Sequence, residues 1–467
     1  MIKIAPLLAA LLLAACSTVP ELKAPALPMP AAFKESQQPL VAADGTQWKV
    51  ARPAEAQPRG QWWLAFHDPE LTGLIGQATE ANASLAVAAA RVKQARALAG
   101  IAEADRGIQV GAGVGAQRGA SPTVAQATSY QARLTASYEV DLFGRIGAGV
   151  SAAQADAAGS EATYKSVLLS LQADVAQTYF RLRSTDAELA TLAKNVDLRA
   201  QSVKVNQSRF DNGDIGEFDL VRAKADLAAA RAEAIGLQRL RVQLEHALAV
   251  LLGKPAAAFS AQANPLLETL LLPVIPAGLP SQLLERRPDV TAAQRALVAS
   301  NARIGEARAA MFPALGLSAA GGGESTALSS ILKLSGRSWM LGALLSMPII
   351  DGGRNKANVA RSEAVLEESV AAYRQNVLVA FAEVEDNLAG LRILAGQAEQ
   401  VESGVVLARR SADLAQKLYQ AGRSSYLDLL DAQRNLALVE RNAAQLRGNQ
   451  AVTTVALIRS LGGGWSI

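Results

Sequence analysis

Between Tyr130 and Asp141 the chain alternates without a break. Tyr130, Ala132, Leu134, Ala136, Tyr138 and Val140 fall on one side, and Gln131, Arg133, Thr135, Ser137, Glu139 and Asp141 on the other. A period of two marks a half-buried strand. Residues 108–118 repeat the pattern more weakly, with Val110, Ala112, Val114 and Ala116 on one face and Gly111, Gly113 and Gly115 opposite. Two further strands are predicted over about 312–320 and 339–350. Runs of roughly 10 to 12 residues are long enough to cross a bilayer as tilted barrel strands, with tyrosines near the interface.

The period then changes to that of helices. Asp68-Pro69 reads as an N-cap followed by proline at the first helical position, opening a helical pattern that continues to about Arg106. From about Arg145 to Arg209 no proline interrupts the pattern, and a helix of that length would extend on the order of 95 Å. Asp211-Asn212-Gly213-Asp214 turns the chain, and a shorter helix returns from about Glu217 to Leu252, stopped by Gly253-Lys254-Pro255. After a Pro-rich stretch the plan recurs: a helix over about 281–311, the two strands, a helix over about 354–420 and its return over about 426–461. Val370, Tyr373, Val377, Phe381, Val384, Leu388 and Leu391 recur every three or four residues, a narrow seam suited to coiled-coil packing.

The two halves are copies. At a constant offset of 209, Phe210 falls on Tyr419, Gly213 on Gly422, Leu220 on Leu429, Arg183 on Arg392 and Leu252-Gly253 on Leu461-Gly462. This is a duplicated module of strands and long helices rather than a short solenoid unit. Upstream, Ile101 aligns with Ile304 at an offset of 203, so the second strand hairpin carries six more residues. Added length collects in exposed loops, which places Gly321-Gly322-Gly323 through Arg337 in a loop on the outside face.

Composition agrees with long helices. Of 467 residues only 4% are aromatic, and the net charge of +4 arises from 46 basic and 42 acidic residues without a clustered basic patch, so nucleic acid is not an expected partner. Met1-Ile2-Lys3 and the apolar run Ile4–Leu13 are too short to span a bilayer. Leu13-Ala14-Ala15-Cys16 resembles the bacterial lipobox, which implies cleavage before Cys16 and lipid on that residue; Ser17 follows, which implies the outer membrane. Cys16 is the only cysteine, so no internal disulfide or cysteine-based metal cluster is available. Pro20, Pro25, Pro28, Pro30, Pro39, Pro53 and Pro58 read as an extended strap.

No enzyme is expected. His67 and His246 lack motif-like partners, and no Walker loop, dinucleotide fingerprint or metal-ligand spacing occurs. Four membrane strands cannot close a barrel, because open edges in lipid leave backbone groups unpaired. Either several chains share one barrel, or the protein is a lipid-anchored periplasmic coiled-coil lipoprotein without a pore. On the residues alone, Asp428 and Asp431 read as carboxylates stabilised at a helix N-terminus.

Several segments carry a family resemblance. Leu279-Pro280-Ser281-Gln282-Leu283-Leu284-Glu285-Arg286-Arg287-Pro288-Asp289-Val290 looks like the central signature of the outer-membrane factors, the TolC-, OprM- and NodT-like exit ducts. Asn301-Ala302-Arg303-Ile304-Gly305, Ala310-Met311-Phe312-Pro313, Tyr138 through Arg145, Trp62-Trp63 with Phe66, and Leu461-Gly462-Gly463-Gly464-Trp465 resemble it too.

The resemblance implies a mainly α fold with a small β part. It has duplicated coiled-coil hairpins and four membrane strands per chain, closed in a homotrimer as a twelve-stranded β-barrel on a periplasmic α-helical barrel. It divides the chain into a signal peptide (1–15), a lipidated Pro-rich strap (16–60), a first repeat (61–253), an equatorial linker (254–280) and a second repeat (281–467). Implied partners are a periplasmic adaptor (membrane fusion) protein, an inner-membrane resistance-nodulation-division pump and outer-membrane lipid. No cofactor is implied beyond the lipid on Cys16, an S-diacylglycerol with an N-palmitoyl group. Leu427, Asp428 and Asp431 would form the periplasmic gate. Gly213, Asp214, Ile215 and Gly216, with Gly422, Arg423, Ser424 and Ser425, would form adaptor-docking tips.

Overall fold

The computed structural model describes residues 18–22, 32–35, 60–121, 124–266, 272–273, 275, 286–331 and 333–463. Cys16, most of the strap and the signature residues 279–285 lie outside the described residues. The chain forms two compact units: residues 1–27, 89–163 and 289–376 make one, and residues 28–88, 164–288 and 377–467 the other. Each unit draws on both repeats, so the duplication does not coincide with the division into units.

The first unit contains a four-stranded antiparallel sheet in the order β1 (Gln109–Ser121), β2 (Val124–Val140), β3 (Ala314–Ser325) and β4 (Arg337–Ser346). Registers of Ala112 on Leu134, Leu134 on Gly321 and Gly321 on Trp339 place one row across all four strands. Directly paired residues share a face, so Val110, Val114, Leu134, Tyr138, Leu317, Trp339, Leu341 and Leu345 line one side. Gln109, Arg133, Ser137, Glu139, Ser318 and Glu324 line the other, joined by Met340 and Leu344 of β4. The apolar side is bare: Val114 is 88% exposed and Trp339 80%. Among the described residues β1 and β4 are both open edges.

The strands differ in extent from the sequence expectation. β2 starts at Val124, six residues earlier, and β4 ends at Ser346 before Pro348. Gly321-Gly322-Gly323 lies in β3, paired with both neighbours, not in the outside loop. Glycine is needed there for close approach: a Cβ on Gly322 would overlap the Ala132 carbonyl, and one on Gly323 the Ile331 carbonyl. Eleven residues, 326–336, join β3 to β4, whereas two join β1 to β2.

Helices α1 (Pro69–Ala81) and α2 (Ala83–Ala104) replace the single helix expected from Pro69 to Arg106. Asp68 caps α1, accepting from the Leu71 N–H at 3.0 Å, with Pro69 at the first position. Asn82 breaks the run. Its Oδ1 accepts from Leu85 N and its Nδ2 donates to the Leu251 carbonyl, so one side chain caps two helix ends.

The long helices are α3 (Arg145–Asp211), α4 (Glu217–Leu251), α6 (Arg354–Gln420) and α7 (Tyr426–Ser460); α5 (Pro288–Ala309) precedes β3. All four boundaries of the first hairpin recur 209 residues later. In the second unit, Trp62, Phe66, Leu71 and Ile75 pack on Val175, Tyr179 and Phe180 of α3, Leu248 of α4, and Val455 and Ile458 of α7. Burial of large side chains at roughly 1.5–3 kcal/mol each makes this cluster the main apolar anchor of that unit.

Candidate functional site

At the two hairpin tips the same backbone device turns the chain. Gly213 and Gly422 have φ of +79° and +69°. The Asp214 N–H donates to the Arg209 carbonyl and the Gly213 N–H to Phe210; Arg423 and Gly422 do the same to Leu418 and Tyr419. These are Schellman closures, which a left-handed glycine satisfies without steric cost. Gly213, Asp214, Gly216, Gly422, Arg423 and Ser425 are exposed, while Ile215 and Ser424 are half-buried.

After the turns the repeats diverge. Gly216 precedes α4 and offers no side-chain cap, whereas Ser425 and Asp428 form a capping box on α7. Ser425 Oγ accepts from Asp428 N at 3.2 Å and donates to Asp428 Oδ2 at 2.7 Å; Ser425 N donates to the same carboxylate at 3.0 Å. The Ser425 hydroxyl, then its backbone N–H, holds the Asp428 carboxyl below the usual carboxylate range. The carboxylate at 428 therefore already has a structural role. Leu427 and Asp431 project from the same first turns and are exposed, with Asp431 3.9 Å from Arg434.

Behind this surface lies a polar cluster that the sequence reading did not find. Arg434 of α7 pairs with Asp226 of α4, whose side chain is 8% exposed. Arg199 of α3 donates to the Asp226 carbonyl at 3.1 Å. Seven residues further along both helices, Arg441 pairs with Glu233. Gln445 donates to Glu188 at 2.7 Å, and Arg441 lies 3.8 Å from that carboxylate. Burial pushes the Glu188 carboxyl up and the Arg199 guanidinium down; Arg441 and Asp226 respectively oppose these shifts. Nearer the turn, Arg209 donates to the Tyr419 hydroxyl at 2.9 Å, Tyr419 donates to Asn206 at 3.2 Å, and the Tyr419 and Tyr426 rings are 5.9 Å apart.

None of these links is duplicated. At the 209 offset Arg199 becomes Ala408, Asn206 Ala415, Arg209 Leu418, Asp226 Asn435 and Glu233 Asn442; Arg434 and Arg441 correspond to Ala225 and Ala232. The seven-residue spacing of Asp226 with Glu233, and of Arg434 with Arg441, was the available signal. Positions seven apart return to one helix face.

The profile of the outer membrane efflux protein family matches residues 74–254 and 279–463. The chain belongs to the outer membrane efflux protein family. The toluene efflux pump outer membrane protein TtgI of Pseudomonas putida is 34% identical, covering 99% of this chain and 98% of its own. The cation efflux system protein CusC of Escherichia coli O6:H1 is 33% identical, covering 99% of each. Among solved structures, the outer-membrane channel OprN matches with a TM-score of 0.85 at 29% identity, over 96% of this chain and 100% of that one. A CusC structure matches with a TM-score of 0.83 at 29% identity and the same coverage. The protein is thus an outer-membrane efflux duct, with relatives that are efflux channels rather than enzymes. The pore-less scaffold alternative falls with this assignment.

Proposed function

We propose that three copies of this chain close into one twelve-stranded barrel and conduct substrates passively from a periplasmic adaptor and an inner-membrane resistance-nodulation-division pump to the exterior. The observation that carries this reading is the sheet: four strands, two open edges among the described residues, one bare apolar face and one largely polar face. In lipid an unpaired edge costs several kcal/mol per backbone group, so β1 of one copy needs β4 of the next. Lipid on Cys16 adds a second membrane attachment.

Leu427 and Asp431 ring the periplasmic mouth, the leucines opposing wetting and the aspartates favouring cations. Asp428 sets the start of α7 through its cap and contributes charge nearby. The tips at 213–216 and 422–425 receive the adaptor. The Asp226–Arg434 and Glu233–Arg441 pairs hold α7 against α4 in the resting state. Relatives are named for toluene in one case and cations in another at similar identity to this chain, which supports a duct that leaves cargo choice to the pump.

Native mass spectrometry and planar-bilayer recording of the purified, full-length protein test the proposal. A trimer with discrete conductance is expected. A monomer that remains in the outer membrane and carries no current would sink it.

A further inference from the structure

The strand registers constrain how one copy meets the next. Gln109, Ser137, Ser318 and Gly342 pair in turn from β1 to β4, one row running at right angles to the strands. In a barrel closed by threefold symmetry the row leaves Gly342 and lands on β1 of the next copy. Its displacement from Gln109 is the same whole number of residues at every seam. Paired residues share a face and the pleat has a period of two, so this stagger is even. It runs toward the end of β1, because the strand begins at Gln109.

Barrel geometry narrows the choice. Staggers of two, four, six and eight residues give strand tilts of about 20°, 35°, 47° and 55° for the usual antiparallel rise and strand spacing. Barrel strands tilt by roughly 35–45°, which leaves four and six.

Charge separates these two. At four, Arg118 of β1 stands directly opposite Arg337 of β4 on the apolar side, and like charges so placed repel. At six, Arg118 faces Trp339 and Arg337 faces Ala120. Arg118 is exposed and makes no ion pair or ring contact among the described residues, and Trp339 is bare. A guanidinium over an indole is a favoured cation–π pair, stronger where water is excluded. The other face agrees. At four, Leu344 and Met340 would face Gly111 and Gly115. There Thr135 Oγ1 and Gln131 Nε2 lie 3.3 and 3.1 Å from the position of a Cβ, so apolar groups would cover polar ends. At six, Leu344 faces Gly113, beside which a Cβ meets nothing within 4 Å. A bulkier residue at 113 would meet Leu344 as an ordinary cross-strand aliphatic pair.

We infer that β4 of one copy pairs with β1 of a second copy at a stagger of six residues, with Trp339 on Arg118 and Leu344 on Gly113. This register rests on the three-copy barrel proposed above. It sets a backbone cylinder about 27 Å across, against about 23 Å for a stagger of four.

Oxidative cross-linking of double-cysteine variants of the full-length protein, with native mass spectrometry of each, tests the register. The wild type, whose one cysteine is Cys16, is the baseline. Ala343→Cys with Val114→Cys, and Met340→Cys with Gln117→Cys, stand opposite at a stagger of six. Ala343→Cys with Ala112→Cys, and Met340→Cys with Gly115→Cys, stand opposite at four. Directly opposed Cα atoms lie within disulfide reach and diagonal ones beyond it, so the first two pairs should yield about tenfold more covalent trimer than the second two. The reverse ratio, or intact trimer without a cross-link from any pair, overturns the register. A monomeric wild type overturns the three-copy barrel itself.

Discussion

Arg434→Ala isolates the contact that holds α7 on α4. It leaves Asp226 buried, with Oδ2 already lacking a hydrogen-bond partner. Removing one partner of a fully buried pair costs about 3–5 kcal/mol. Arg434 is 44% exposed, so solvent screens part of the interaction and the expected cost is roughly 1–2 kcal/mol. If the pair is made only in the closed tip, the open population should rise about five- to thirtyfold at a tenfold per 1.4 kcal/mol. Single-channel recording in planar bilayers reads this as open probability. Asp226→Asn combined with Arg434→Leu removes both charges and should recover much of the closed state. Unchanged open probability in Arg434→Ala, with the trimer intact, would refute the argument that this pair restrains the tip. Equal opening by the single and double variants would refute its electrostatic basis.

Charge reversal, Asp431→Arg, should shift ion preference away from cations without loss of the trimer; an unchanged reversal potential in a salt gradient removes Asp431 from the mouth. The Asp428 carboxyl titrates below its ordinary value of about 3.8, so its contribution to the α7 cap is present above that pH and fades as pH falls through the depressed value. Protection factors of the amides at 425–428 should therefore fall at acid pH in the wild type, and Asp428→Ala should show low protection already at neutral pH. Gly322→Val should prevent β2–β3 pairing and abolish heat-resistant trimer on gels, while Gly113→Val, where a Cβ meets nothing within 4 Å, should be tolerated. Replacing residues 1–16 with a cleavable signal that receives no lipid should leave the protein in the outer membrane after alkaline wash if the barrel spans it.

The hairpins were legible because their signals are local and repeated. Asp68-Pro69, Gly213, Gly253, Gly422 and Gly462 stop or start helices for reasons held within a few residues. Strand ends were less legible. Toward its outer end β2 places Gln126 and Thr128 on the side that carries Tyr130, so backbone pairing continues where side-chain alternation has ceased. At the end of β4 the apolar Ile349 and Ile350 extend the pattern, but Pro348 offers no N–H and pairing stops at Ser346. Gly321-Gly322-Gly323 looks like a loop until the Ala132 carbonyl occupies the space of a side chain. At the tip, Asp428 and Asp431 stood out through their motif. Asp226 and Arg434, far apart in sequence, acquire meaning only when α4 and α7 lie together.

The equal offset at all four helix boundaries couples the lengths of the hairpins. A seven-residue segment added to α3 and α4 alone would slide Asp226 and Glu233 two turns past Arg434 and Arg441. The same insertion matched in α6 and α7 would restore every pair. A gene carrying such a duplication must therefore change length twice, in step, or lose the closed tip. Conversely, a longer duct can be built from this chain by lengthening both hairpins in whole heptads.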